Sequence, residues 1–277
     1  MKYIILIQAV LFAFIFSPAS GQNDGWDTYI AKFGDKPGSV LVDMGLINTA
    51  PDKRYPYLVI TGPQVHKCNA DGLPDKEEID QLEEILSATD NFLTGVTAKM
   101  LTGTFSYNCE RLNYYYVKDT VGIRNALMRM YRRSYPDYSY VINMKKDQEW
   151  VTYRTLLYPD EKVKNWMEND KVITKMMQDG DSLTGQRDIS FDLYFKTDTD
   201  RTAFASYAGT HGFDVTVPNS DPVSKGTQMP YELTISKYSY VKMDGMVAMT
   251  EEIKQQVRQH HGVYGGWIAP LNKEQKK

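Results

Sequence analysis

Apolar residues along the chain alternate between two periods, and the order of those periods predicts the architecture. Trp26–Phe33 and Ser39–Asp43 read as strands around a turn at Gly34–Gly38, and Tyr57–Thr61 as a β-branched and aromatic strand. Ile79, Leu82, Ile85, Leu86 and Leu93 then recur at helical spacing opposite Glu77, Asp80, Glu83 and Glu84. Asp75 and Glu78 stand at capping-box spacing before them. Lys99–Tyr107 and Arg111–Lys118 predict a hairpin with its tip at Asn108-Cys109-Glu110. A second helix from Val121 to Tyr135 carries Ile123, Leu127, Met130 and Tyr131 on one side and Arg124, Arg129, Arg132 and Arg133 on the other, and Pro136 stops it. Tyr138–Met144 and Trp150–Leu157 read as two more strands. From Tyr57 onward the order is β-α-β-β-α-β with an added strand.

A connecting helix is predicted from Asp160 to Gln178, and the pattern then restarts. Ile189, Phe191, Leu193 and Phe195 alternate with polar residues, and Thr199 is placed to cap a helix bearing Ala203, Phe204 and Tyr207. Phe213, Val215 and Val217 alternate as a strand, Tyr231–Val241 supplies another, and Met246, Met249, Ile253 and Val257 form a last helical stripe before Val263–Ile268. The expected fold class is α+β: two tandem ferredoxin-like (βαββαβ) domains, each an antiparallel sheet with helices packed on one face. The expected divisions are a signal peptide at 1–21, an N-terminal α+β domain at 22–158, a connecting helix and linker at 159–184, a second domain at 185–271 and a polar tail at 272–277.

The expectation of a leader rests on Lys2, an apolar run from Ile4 to Phe16, and the small and breaking residues Pro18, Ala19, Ser20 and Gly21. The run is shorter than the roughly 20 residues of a membrane-spanning helix. Export to the periplasm or beyond is therefore expected, without a lipid-bearing cysteine and without a transmembrane segment in the mature chain. Composition narrows the rest. With 42% hydrophobic and 24% charged residues the chain has the means to bury a core, which excludes a disordered protein. A net charge of −3 gives no positive field to concentrate nucleic acid.

Several short stretches resemble known families. Met177–Asp181, Arg187–Phe191, Gly212–Val215 and above all Gly262-Val263-Tyr264-Gly265-Gly266-Trp267 resemble the RraB family, protein regulators of ribonuclease E. Trp26, Lys36-Pro37, Asp71–Pro74 and Tyr135–Tyr138 are similar to DUF695, an uncharacterised bacterial domain family often fused ahead of an RraB-like domain. The resemblance implies a non-catalytic protein that binds another protein through an acidic surface. The ribonuclease itself works in the cytoplasm, where an exported chain does not meet it, and the acidic tail of the family is replaced here by Asn272–Lys277.

Motif chemistry is sparse. No phosphate-binding glycine loop, H-E-x-x-H, C-x-x-C or G-x-S-x-G occurs. Cys68 and Cys109, the two cysteines, fall at the same end of a ferredoxin-like sheet, and in an oxidising compartment a disulfide between them is expected. The alternatives are two unpaired thiols in separate loops, or a metal site begun by His66 and Cys68 with Cys109 as third ligand and no obvious fourth. His211, His260 and His261 precede or adjoin glycines in the manner of helix C-termini. Asp179–Leu183 has a calcium-loop flavour that fails at Leu183. The arginines of the second helix form either a solvated face or a basic patch, and the tyrosines, including Tyr114–Tyr116, Tyr138 and Tyr140, either pack or form a platform. Tyr264, Gly265, Gly266 and Trp267 are the most distinctive local element, either a contact patch or a glycine crossing with Trp267 closing the core. The expected function is an exported, non-enzymatic binding or regulatory protein with a protein partner, no cofactor, no metal and no nucleic acid. The alternatives are an envelope hydrolase built from dispersed Asp, Glu and His, a cytosolic ribonuclease regulator if the leader is retained, and a small-ligand binder with a cavity between the domains.

Overall fold

A computed structural model describes residues 25–217 and 228–272. The leader expected at 1–21 lies outside the described residues, as does most of the tail. The chain divides into two compact units, the first ending at Val163 and the second beginning at Lys164.

The first unit is a six-stranded sheet in which every neighbouring pair is antiparallel. Its strands are β1 (Trp26–Phe33), β2 (Lys36–Asp43), β3 (Tyr57–Pro63), β4 (Lys99–Tyr107), β5 (Glu110–Val117) and β6 (Tyr140–Lys146), in the spatial order β1-β2-β4-β5-β3-β6. The last four strands alternate with helices α1 (Lys76–Thr94) and α2 (Ile123–Ser134) as β-α-β-β-α-β, and the β1-β2 hairpin extends the sheet beyond β4. The tip between β4 and β5 is a two-residue turn with Asn108 and Cys109 at φ of 50° and 60°, the conformation that matches the twist of paired strands. Ile85 and Leu93 of α1 and Ile123, Leu127 and Met130 of α2 bury against Val59, Tyr115, Val117 and Ile142 of the sheet.

The other face of the sheet is closed by the chain after β6. Trp150–Leu157, expected as a strand, is instead a helical segment with a π-turn at Tyr153–Leu157. Trp150, Tyr153 and Leu157 are spaced three and four apart, so a helical path turns all three onto the sheet, whereas a strand would send them to both faces. Trp150 stacks on Tyr116 at 4.1 Å, and the Tyr29 and Tyr153 hydroxyls donate to the backbone carbonyls of Leu157 and Asp43 at 2.7 and 2.8 Å.

The second unit holds β7 (Gln186–Phe195), β8 (Asp214–Thr216), β9 (Tyr231–Tyr240) and β10 (Gly262–Ile268) in the antiparallel order β10-β7-β9-β8, with α4 (Asp198–Thr210) and α5 (Met243–Gln259) between strands. Its core joins Ile189, Phe191, Leu193 and Phe195 to Phe204, Leu233, Ile235, Ile253 and Val257. The helix expected as a connector, α3 (Glu161–Gln178), also contributes Ile173 and Met176 to this core. Residue Thr197, not Thr199, caps α4, its hydroxyl accepting from the Asp200 amide at 3.1 Å. The strand expected from Phe213 to Val217 is only the three residues Asp214–Thr216, and Phe213 just before it is buried in the core.

Candidate functional site

Three places among the described residues are candidates for a site. The first is the knuckle after β3, where Cys68 and Cys109 form a disulfide with their Cα atoms 5.7 Å apart. Backbone bonds from the Val65 amide to the Cys109 carbonyl and from the Cys109 amide to the Gly72 carbonyl fasten the same loop to the β4-β5 tip. Glu78 does not reach back as a capping box. It is buried, and its carboxylate accepts from the amides of His66 and Lys67 and, at 3.2 Å, from the Tyr138 hydroxyl. Burial, with the charge of Glu78 beside it, pushes the Tyr138 phenol up to about 12. The His66 ring stacks on Tyr138 at 4.1 Å and its Nε2 lies 3.1 Å from the Asp137 carbonyl. Both sulfurs are committed to each other and the carboxylate is filled by its donors, so the knuckle works as a clasp on the backbone. Among the described residues, no three His, Cys, Asp or Glu side chains gather to hold a metal ion.

The second place is the sheet of the second unit. Tyr264 and Trp267 point to its helix-bearing side. Trp267 is only 6% exposed and its Nε1 donates to the Asn169 side-chain oxygen of α3 at 2.9 Å, while Tyr264 lies beneath Lys254. Gly265 is the extra residue of a bulge, and a Cβ there would fall 2.5 Å from the Tyr194 ring. Gly266 has a φ of +143°, which favours glycine. Trp267 therefore closes the core, and the bulge lets β10 pass Tyr194. The large apolar residues this strand exposes are Val263 and Ile268.

Those two belong to the opposite face of the sheet, which no helix among the described residues of the unit covers. Register places Asp188 beside Tyr238, Asp192 beside Thr234, Tyr194 beside Glu232 and Asp214 beside Ser236 on that face. Tyr238 is 62% exposed and Ile268 65%. The strand residues there include Asp188, Asp192, Asp214 and Glu232 and no Lys or Arg, so the face is acidic and aromatic with apolar residues along β10.

The third place is on the helix-bearing side of the first sheet, where β1 and β2 run out past α1. A shallow depression there is lined by Thr28, Ser39, Leu41, Thr104, Ser106, Arg111 and Glu83. Cross-strand register makes Ser39, Ser106 and Arg111 one row and Leu41, Thr104 and Asn113 the next. The Arg111 guanidinium donates to the Ser106 hydroxyl at 3.3 Å and to the Glu83 carboxylate, while its Nε is buried with no hydrogen-bond partner. Thr104 is turned to the Asn113 side-chain oxygen at 3.0 Å.

Residues 24–158 match the model of a family of unknown function, DUF695, and residues 166–268 match that of the regulator of ribonuclease activity B, RraB. The chain thus resembles DUF695 over one stretch and RraB over the next, a DUF695-like region followed by an RraB-like region. No curated protein matches it. The Tyr-Gly-Gly-Trp stretch lies inside the RraB region and the disulfide clasp inside the DUF695 region. The histidines of the RraB region are accounted for locally: His211 and His260 follow the last residues of α4 and α5, and each ring Nδ1 is about 2.8–2.9 Å from a carbonyl of its own helix, those of Tyr207 and Gln256. His261 meets Asp200 at 3.0 Å. In the Asp179–Leu183 stretch, Asp181 is buried and pairs with Arg187 at 2.5 Å, also accepting from the amides of Leu183 and Asn272. Burial opposes the Asp181 charge, but Arg187 and the two amides outweigh it and hold the carboxyl below its usual range. This is a turn locked by an ion pair. Sequence reasoning missed the Arg111 depression and the open RraB face. Its signal for the second was present, since Asp188, Ser190, Asp192 and Tyr194 are the polar phase of the β7 alternation.

Proposed function

We propose that this chain is an exported, non-catalytic binding or regulatory protein made of two ferredoxin-like units, in which the open face of the RraB sheet docks a protein partner. The observation that carries the reading is that face: four carboxylates, exposed Tyr238 and Tyr240, and the apolar Val263 and Ile268 on one face of the sheet. Aromatic and apolar side chains supply contact area, and the surrounding carboxylates favour a partner surface rich in Lys and Arg. The strand orders β4-β5-β3-β6 and β10-β7-β9-β8 support the ferredoxin-like assignment, each reading fourth, first, third, second from one edge. The RraB description supports a regulatory role exerted through protein contact. A leader at 1–21 agrees with the disulfide, which suits an oxidising compartment. No helix among the described residues is long and apolar enough to cross a membrane.

The test is site-specific photocrosslinking in living cells, with the reactive group at position 238 or 268 and controls at 129 and 87 on the helices of the DUF695 region. One discrete adduct from the sheet positions, absent from the controls and lost when Asp188 and Asp192 are changed to Lys, is the expected result. Equal yields from all four positions would remove the open face as the docking surface.

A further inference from the structure

The helix-bearing side of the DUF695 region carries charge of opposite sign on two neighbouring helices. α2 holds Arg124, Arg129, Arg132 and Arg133 and no carboxylate, while α1 holds six carboxylates and one Lys. Several of the carboxylates are occupied within the chain: Glu77 pairs with Lys67, Glu83 with Arg111 and Asp90 with Lys99, and Glu78 is buried. Asp80 and Glu84 of α1 and Arg129 and Arg133 of α2 are exposed, and among the described residues none of the four forms an ion pair. Asp80 and Glu84 stand four positions apart, as do Arg129 and Arg133, so each helix sets like charges side by side, an arrangement that weakens it.

Topology brings the two charged stretches to the same level. Strands β3 and β5 are antiparallel, and α1 and α2 each return against the strand before them, so the helices run antiparallel. The Tyr135 hydroxyl, just past the end of α2, donates to the Glu84 carboxylate at 3.3 Å, which sets the acidic first half of α1 beside the basic last half of α2. A two-fold axis lying parallel to the helices and midway between them preserves every level and exchanges α1 with α2. It lays α1 of one copy over α2 of the other in two equivalent places, acid over base in both. A two-fold running across the helices would set α1 on α1, acid on acid.

We propose that this face docks a second copy of the chain, in a two-fold dimer where Asp80 and Glu84 of each copy meet Arg129 and Arg133 of the other. Helices of 19 and 12 residues, at about 1.5 Å per residue and about 10 Å of width each, cover about 450 Å² per copy. That is at the small end of specific interfaces, so the dimer is weak and concentration-dependent, and its charged contacts make it sensitive to salt.

The experiment is sedimentation equilibrium of the full mature chain and of two charge-reversed variants, Asp80→Lys with Glu84→Lys and Arg129→Glu with Arg133→Glu, each checked for its fold by circular dichroism. The unmodified chain is expected to dimerise, and to do so more weakly as salt rises from about 0.1 M to about 1 M, where the screening length falls from about 10 to about 3 Å. Each reversal sets like charges against each other in both halves of the interface and is expected to weaken self-association about tenfold or more. An equimolar mixture of the two variants restores complementarity in both halves and is expected to form a heterodimer about as strong as the original. If a double variant does not fold, Glu84→Lys and Arg133→Glu alone serve as the complementary pair. In the crosslinking experiment, positions 129 and 87 then give an adduct of twice the chain mass, distinct from that of a different partner on the RraB sheet. Three outcomes overturn the proposal: an unmodified chain that stays monomeric at low salt; a dimer that folded reversal variants form equally well; or a mixture that associates no better than either variant by itself.

Discussion

At Asp147 a single carboxylate joins the sheet of the DUF695 region to the segment that covers it. It accepts from the Tyr116 hydroxyl at 2.7 Å and from the amides of Val151 and Thr152 at 2.9 and 3.0 Å. Burial raises its pKa, but these donors outweigh burial and hold the carboxyl below the usual carboxylate range. A carboxyl whose folded pKa is depressed contributes stability that is present above its unfolded value and is lost as pH falls through the folded one. Asp147→Asn is therefore expected to lower stability by about 1.5–3 kcal/mol at neutral pH, and to flatten the loss of stability on acidification below pH ~4. Urea unfolding at several pH values checks both. Residue chemistry of this kind was the least legible part of the chain. Glu78 had the spacing of a capping residue and became a clasp for two amides, because burial beside His66 and Tyr138 gave it better donors than the helix start. Arg111 and Glu83 are 28 positions apart, and no local pattern pairs them.

Elements with a strong apolar period were legible, and those with a short or mixed one were not. The stripe of Leu82, Ile85 and Leu93 gave α1, and the alternation from Ile189 to Phe195 gave β7. Trp150–Leu157 misled because aromatic and β-branched residues are common to strands and to short helical covers, and only the spacing of Trp150, Tyr153 and Leu157 distinguishes them. Two consequences are measurable at this scale. The turn from α3 to β7 depends on the buried pair of Asp181 and Arg187, whose guanidinium also reaches the carbonyls of Thr184 and Pro270. Arg187→Met leaves a buried carboxylate without its cation and is expected to cost about 3–5 kcal/mol, read by calorimetry, whereas Lys175→Met at an exposed pair is expected to change little. The clasp between the loop after β3 and the β4-β5 tip spans 41 residues of sequence. Cys68→Ser with Cys109→Ser is expected to lose about 4 kcal/mol in the chain-entropy account, measured against the oxidised protein.

For the whole molecule, the repetition of β-α-β-β-α-β was visible in the order of periods although the two halves share no evident sequence repeat. The reason is that binary pattern decides which face is buried, while residue identity within the pattern is free to drift. The surfaces built on that pattern were less visible, since a polar residue on a strand reads the same whether it meets solvent or a partner. If the leader is removed during export, intact-mass measurement of the protein from the cell envelope will give a chain beginning at Gln22 and lighter by two hydrogens than its thiol form. A full-length mass with two free thiols would refer the RraB region back to a cytosolic role.

The clasp has a consequence for how the chain matures. With only two cysteines present, a single intramolecular bridge exists, so no mispaired isomer has to be undone. An electron acceptor is sufficient to complete the covalent structure, and a shuffling enzyme has nothing to correct.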